Sequence, residues 1–177
     1  AAADKVLNSH STANVIYALW LSPDGVYKMS QEIKGMVQTS LNLGTAYLDA
    51  DKLVYKYLIR SNTAAGKKLL LERVTTFVKH LSGKVVTMSD YPAWEYKRDS
   101  QLRKICVDSF TNVYSHEPEV TSIHAGLECG ILAGKMPEVD MISFGPTLES
   151  VHTPDECMNV ASVERTWEYL MEILKSL

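Results

Sequence analysis

The feature that most constrains this chain is a change of hydrophobic period between residues 37 and 81. Val37, Thr39, Leu41 and Leu43 alternate with Gln38, Ser40 and Asn42, the period of two expected of a strand with one face in water. Residues 53–61 read as a second strand, and the intervening LDADK can close an antiparallel hairpin. After Thr63 the spacing becomes helical: Leu70, Val74, Phe77, Val78 and Leu81 fall on one stripe, and Gly83 is placed to end the helix. Residues 84–88 read as a further short strand. Hairpin, helix and strand together predict helices on one face of an antiparallel sheet. Upstream, residues 4–21 fit a helix that buries Val6, Ile16, Leu19 and Trp20, with a break near His10–Ser11, before Pro23–Asp24–Gly25 marks a turn.

The pattern changes again in SDYPAWEYKRD, residues 89–99, which mixes proline, aromatics and charge without a period. Such a stretch suits a boundary between domains, dividing the chain into residues 1–92 and 93–177. Beyond it Leu102, Ile105, Cys106, Phe110 and Val113 mark a helix, residues 120–124 a strand and residues 140–145 another. The last helix carries Val163, Trp167, Leu170, Met171, Leu174 and Leu177 on one face, with Ser162 placed to cap its start. Alternation of strand and helix predicts a parallel or mixed sheet covered by helices. The fold class is therefore α/β, with an α+β piece first and an α/β piece after it.

Chemistry concentrates between residues 124 and 156, HAGLECGILAGKMPEVDMISFGPTLESVHTPDE. Gly126 and Gly130 allow a tight turn and close backbone approach to a ligand. The apolar run DMISFG stops at Gly145–Pro146, and the loop beyond it presents His152 just past a strand end, where open α/β sheets bind ligands. Glu149, Asp155 and Glu156 would favour a cation nearby. Neutral imidazole is a good zinc donor, and Asp155 or Glu156 could hold its second nitrogen. An isolated loop histidine is more often merely solvated or hydrogen-bonded than a metal ligand. Arg60, ending an apolar strand, reads as a surface charge, a structural ion pair or a carboxylate ligand.

In order and spacing, HAGLECG, DMISFGPT and VHTPDE resemble the C-terminal part of bacterial aminoacyl-histidine dipeptidases, the carnosine-cleaving branch of the aminoacylase-like dinuclear zinc peptidases. PDGVYKMS, GMVQTSLNLG, YLIRS and YPAW extend the similarity over nearly the whole chain. The resemblance implies that residues 1–92 are the C-terminal half of an inserted lid domain and 93–177 the C-terminal segment of the catalytic domain. It implies that His152 ligates one of two zinc ions, that Arg60 binds the substrate's terminal carboxylate and that the backbone at Gly126 lines the substrate site. His124 and Glu128 would stand behind these, and Cys129, beside the glycine turn, is the one thiol to test as a metal neighbour or reactive thiol. The family's HxD motif, paired glutamates and other aspartate ligands belong to an N-terminal half that this sequence lacks. The implied activity is zinc-dependent hydrolysis of dipeptides ending in histidine, with the 177-residue chain inactive alone and holding no stoichiometric zinc.

Composition removes other classes. A net charge of −3 and a pI near 6.0 give no electrostatic reason to expect nucleic acid. No apolar run reaches the roughly 20 residues of a membrane span, and AAADKVLNSH has no signal-peptide profile. Cys106, Cys129 and Cys157 form no CxxC and read as reduced thiols of a cytoplasmic protein. A start at Ala1 without methionine reads as a cut or cloning boundary. The expected partners are a small peptide and the missing half of the enzyme. Strand edges left uncovered would favour a homodimer, so a non-catalytic dimerising remnant stays open, as do aminoacylase and tripeptidase activities on the same scaffold.

Overall fold

The computed structural model of the protein describes residues 6–49, 52–122 and 128–177. They divide into two compact units, one within 1–96 plus 122–130 and the other comprising 97–121 and 131–177.

In the first unit, helix α1 (Ser9–Trp20) starts where Asn8 accepts the amide of Ser11 at 2.8 Å, so His10 and Ser11 lie in its first turn, not at a break. Its burial also differs from expectation. Ala18 is the buried residue, while Val6, Ile16, Leu19 and Trp20 are exposed, Trp20 by 87%. The apolar residues of this helix outnumber what the described residues can cover.

The Pro23–Asp24–Gly25 turn leads directly into strand β1 (Gly25–Met29), which the sequence pattern did not separate from the turn. Asp24 Oδ1 accepts the Leu43 amide at 2.7 Å and fixes that entry. Strands β2 (Val37–Asp49) and β3 (Lys52–Ser61) form the expected antiparallel hairpin, ending on the pair Asp49 and Lys52, and β1 adds to β2 to give the order β1-β2-β3. A bulge between Leu43 and Thr45 resets the register, which lets β2 continue past the alternating run that marks its first half.

Helix α2 (Ala64–His80) lies on one face of this sheet. Leu41, Leu70 and Val74 form its buried centre, surrounded by Tyr27, Tyr57, Ile59 and Val78. The helix starts close to the strands: a Cβ on Gly66 would stand 2.5 Å from Thr39 Oγ1 and 2.6 Å from Ser61 Oγ. Thr63 caps it through the Gly66 amide, and Glu95 takes the Ala64 amide at 2.8 Å. Lys67 reaches Asp90 and the carbonyl of Tyr91, so residues 90–95 are bound to the start of α2. At the other end Ser82 adopts the left-handed conformation at φ 59° and Gly83 donates back to the Val78 carbonyl at 2.9 Å.

The second unit is built on α3 (Gln101–Tyr114) and α5 (Val160–Ser176). Cys106, Tyr169 and Ile173 are buried between them, with Leu102, Ile105, Phe110 and Ile142 packed around. Tyr169 donates to the Cys106 carbonyl at 2.9 Å, and burial raises its phenol and the Cys106 thiol. The cap of α5 is Asn159, which accepts the Ser162 amide. Ser162 is instead buried, accepting the Thr147 amide and donating to the Asn159 carbonyl. The side of α5 facing α3 carries Tyr169 and Ile173, so the stripe of Val163, Trp167, Met171 and Leu174 is exposed.

Helices and antiparallel strands together give the expected mixed α and β composition. Residues 84–88, 120–122 and 140–145, however, form no strand. A strand exists only through a ladder partner, and among the described residues none runs beside them. Asp140, Ile142 and Phe144 turn to the helices, with Phe144 on the Tyr169 ring at 4.8 Å.

Asp140 holds this segment to the start of α3. It accepts from Ser100 Oγ at 2.9 Å and from the Leu102 amide at 3.0 Å, with Lys97 at 3.9 Å. Burial pushes its carboxyl up, but the Leu102 and Ser100 hydrogen bonds, Lys97 and the Met141 amide outweigh that and hold it below the usual range. A lowered folded pKa means the stabilisation is complete above the unfolded value, about 3.9, and disappears as pH falls through the folded one. Asp140→Ala, which leaves helix-start amides without their acceptor, is expected to cost about 0.5–2 kcal/mol at pH 7. Denaturant curves for both proteins should converge as the pH is taken below that of a free carboxylate.

Candidate functional site

His152 lies between two short strands, β4 (Leu148–Glu149) and β5 (Cys157–Met158), which pair antiparallel. The base of the loop is tied to the start of α5 by the Asn159 amide on the Thr147 carbonyl at 3.0 Å and the Thr147 amide on Ser162 Oγ at 2.8 Å. Within it, the Thr153 hydroxyl donates to the Ser150 carbonyl at 2.7 Å and the Glu156 amide to the Thr153 carbonyl at 3.1 Å. Two residues, Ser150 and His152, take left-handed backbone conformations at φ 52° and 66°. Such conformations cost about 1–3 kcal/mol each and persist where surrounding bonds over-determine them. The result is an exposed imidazole on a tightly bonded loop.

Glu156 contributes to that geometry in an unexpected way. Its Oε2 accepts the backbone amide of His152 at 2.7 Å, so it fixes the left-handed turn, and among the described residues the ring itself makes no hydrogen bond. Asp155 and Glu149 are exposed beside it, leaving the loop rich in negative charge.

Arg60 lies in the other unit, exposed on β3 opposite Ser40 of β2. Side chains alternate along a strand, and Tyr57 and Ile59 face α2, so Arg60 and Leu58 lie on the open face of the sheet. Each residue is thus placed within its own unit. Gly126 and His124 lie outside the described residues. Glu128 and Cys129 begin the helix α4 (Glu128–Lys135), Glu128 exposed and Cys129 half-buried. Gly130 is required by packing: a Cβ at this position would meet the Pro92 carbonyl at 2.9 Å, so the 92–94 segment needs a glycine there.

Among the described residues, no group of three or more His, Cys, Asp or Glu side chains could hold a metal ion. Zinc is held by about three or four protein donors, so these residues alone do not fit a zinc site and His152 can offer one donor only. Sequence reasoning missed the left-handed positions at both Ser150 and His152 and the role of Glu156; neither glycine nor asparagine marks that turn. Among the described residues no helix is long and apolar enough to cross a membrane.

The model of the Peptidase family M20/M25/M40 matches residues 12–176. The cytosol non-specific dipeptidase of Escherichia coli is 33% identical over 171 residues, 97% of this chain and 35% of that protein. The crystal structure of aminoacylhistidine dipeptidase from Vibrio alginolyticus matches with a TM-score of 0.90 and 32% identity, covering 100% of this chain and 36% of that one. The aminopeptidase PepT from Bacillus cereus, at 16% identity and a TM-score of 0.59 over 92% of this chain and 44% of that one, shares the fold alone. The chain therefore spans roughly a third of the length of the first two relatives. With the family pattern running through almost every element described above, the chain belongs to the Peptidase family M20/M25/M40.

Proposed function

We infer that this chain is the C-terminal part of a metal-dependent dipeptidase acting on small peptides in the cytosol, with histidine-ending dipeptides as substrates. The observation that carries the reading is the exposed His152 held by a left-handed, over-bonded loop in a chain similar throughout to a solved aminoacylhistidine dipeptidase. In the complete enzyme His152 would donate one nitrogen to zinc, and zinc would supply polarisation of the scissile carbonyl. Arg60 would bind the terminal carboxylate, since its planar guanidinium donates two parallel hydrogen bonds to that group. The backbone at Gly126 would orient the peptide. Residues 1–92 are assigned to the lid and 93–177 to the catalytic domain.

Substrate breadth has a second reading, because the Escherichia coli relative is named a non-specific dipeptidase. Nothing in the Arg60 contact selects the leaving residue, and a broad dipeptidase would use it identically. The test is hydrolysis by the full-length polypeptide that carries this segment, supplied with zinc, on β-alanyl-histidine, other dipeptides, tripeptides and N-acyl amino acids. Cleavage of dipeptides supports the proposal, and preference for histidine narrows it. Cleavage of N-acyl amino acids alone overturns it. The 177-residue chain by itself is expected to cleave none of them.

Arg60→Ala in that full-length enzyme is expected to raise KM about 10–100-fold with kcat little changed, the loss of a charged hydrogen-bond pair to the carboxylate. A substrate with an amidated C-terminus should be cleaved equally by both proteins. Retained discrimination between acid and amide in the variant would remove Arg60 from this role.

A further inference from the structure

We propose that the open face of β2 and β3 beside Arg60 is the subsite that reads the side chain of the substrate's C-terminal residue, and that it takes neutral side chains of leucine or imidazole size. The inference rests on the reading of Arg60 as the carboxylate ligand. Residues paired across antiparallel strands point to the same face. The register therefore places Arg60 with Ser40, Leu58 with Asn42 and Lys56 with Thr45 along that face. Thr39 and Leu41, whose side chains point the other way, are buried, whereas Asn42, Leu58 and Arg60 are exposed, Leu58 by 46%. Whatever binds to Arg60 thus meets Leu58 and Asn42 next.

Beyond that pair the face has a low point. Gly44 is the extra residue of the bulge between Leu43 and Thr45, and its φ is not left-handed, so the backbone does not require glycine there. What the missing Cβ leaves is room: a Cβ would meet Asn42 Nδ2 at 3.6 Å and the Lys56 carbonyl at 3.8 Å, both ordinary contacts. Past it the floor rises where Lys56 Nζ sits over the Tyr47 ring, 5.4 Å from its centroid. Arg60 closes one end of the depression and the Lys56–Tyr47 pair the other, the two strand positions lying about 13 Å apart at roughly 3.3 Å per residue. A terminal histidine reaches about 6 Å from its carboxylate carbon to its ring tip at standard bond lengths. With the carboxylate on Arg60, the ring falls on Leu58 and Gly44, and a ring nitrogen comes within reach of the Asn42 amide, which both donates and accepts. A leucine side chain would use the Leu58 surface alone. Lysine or arginine, reaching farther, would meet the like charge of Lys56.

The test is steady-state hydrolysis of alanyl-glycine, alanyl-leucine and alanyl-histidine by the full-length enzyme that carries this segment, supplied with zinc. Gly44→Leu fills the depression and is expected to lower kcat/KM for the leucine and histidine substrates about 10-fold or more relative to alanyl-glycine. A change that merely loosened the sheet would lower all three together. Asn42→Leu should move the ratio of alanyl-histidine to alanyl-leucine about 3–10-fold toward leucine, the worth of one hydrogen bond. Leu58→Asn, on the facing strand, should lower alanyl-leucine about 10-fold relative to alanyl-glycine, and it carries the test if Gly44→Leu does not fold. Ratios that stay at the parent values in the folded variants overturn the proposal. The two readings fail separately. If Arg60→Ala abolishes the preference for a free carboxylate while Gly44→Leu and Leu58→Asn leave every ratio in place, the subsite is wrong and the functional reading stands. An enzyme that cleaves no dipeptide sinks both.

Discussion

Leu70→Ala is expected to destabilise the unit built on β1, β2 and β3 by about 2–5 kcal/mol. Leu70 has no exposed surface and packs on Leu41 and Val74 beneath a ring of Tyr27, Tyr57, Ile59 and Val78. One helix on a three-stranded sheet has a single buried layer, so the loss falls on nearly all of the core that holds the two together. Collapse of the cavity is limited, because Gly66 seats the start of α2 against the hydroxyls of Thr39 and Ser61 and prevents the helix from sliding inward. Whole domains are stable by only about 5–15 kcal/mol, so the loss is a large fraction of the total. Leu69→Ala is the matched control: Leu69 is 61% exposed, and a surface truncation should change stability by less than about 0.5 kcal/mol. Urea midpoints followed by far-ultraviolet circular dichroism measure both. Equal midpoints for the two variants would show that α2 does not pack as described.

The contrast between Leu69 and Leu70 also shows why this part of the fold was legible. A switch of period from two to 3.6 names the inward residues directly, and Leu41, Leu70 and Val74 are the residues so named. The bulge at Gly44 and the entry of β1 straight from a turn depend on register and on the Asp24 to Leu43 bond, which period does not encode. The helix α5 was legible as an element and illegible in orientation. Its apolar arc is broad enough to satisfy either edge, and the buried edge is decided by the Tyr169 hydroxyl finding the Cys106 carbonyl. Residues 140–145 form a short apolar run that reads as a strand, but a ladder is a property of two segments and cannot be read from one of them.

The site divides along the same line. His152 could be picked out from VHTPDE because its neighbours are recognisable as a set. Its left-handed backbone could not, since glycine and asparagine, the usual markers of that conformation, are absent at both Ser150 and His152. Glu156 reads as a partner for the imidazole, but its carboxylate accepts the His152 backbone amide instead. The chemistry of a loop is legible from residue types, whereas the allocation of its few acceptors is settled only by how the backbone turns.

His152→Asn in the full-length enzyme is expected to reduce kcat/KM at least about 100-fold, because loss of groups that merely orient a metal ligand already costs about 10–100-fold. Asparagine is chosen because it tolerates the left-handed region at least as well as histidine, so the Ser150 to Glu156 bonds should survive and the loop should keep its shape. Alanine would add backbone strain and confuse loss of a donor with loss of the loop. The distinguishing measurement is zinc content per protein, by metal analysis after gel filtration, alongside a thermal melt of the metal-free protein. The proposal requires zinc content to fall with the melt unchanged. Undiminished zinc in a folded variant would mean that the imidazole is not a donor, and the left-handed turn at His152 would then need another explanation. Glu156→Gln separates the two roles further: it keeps an acceptor for the His152 amide while removing a charge, so it should preserve the melt and change zinc binding far less than His152→Asn.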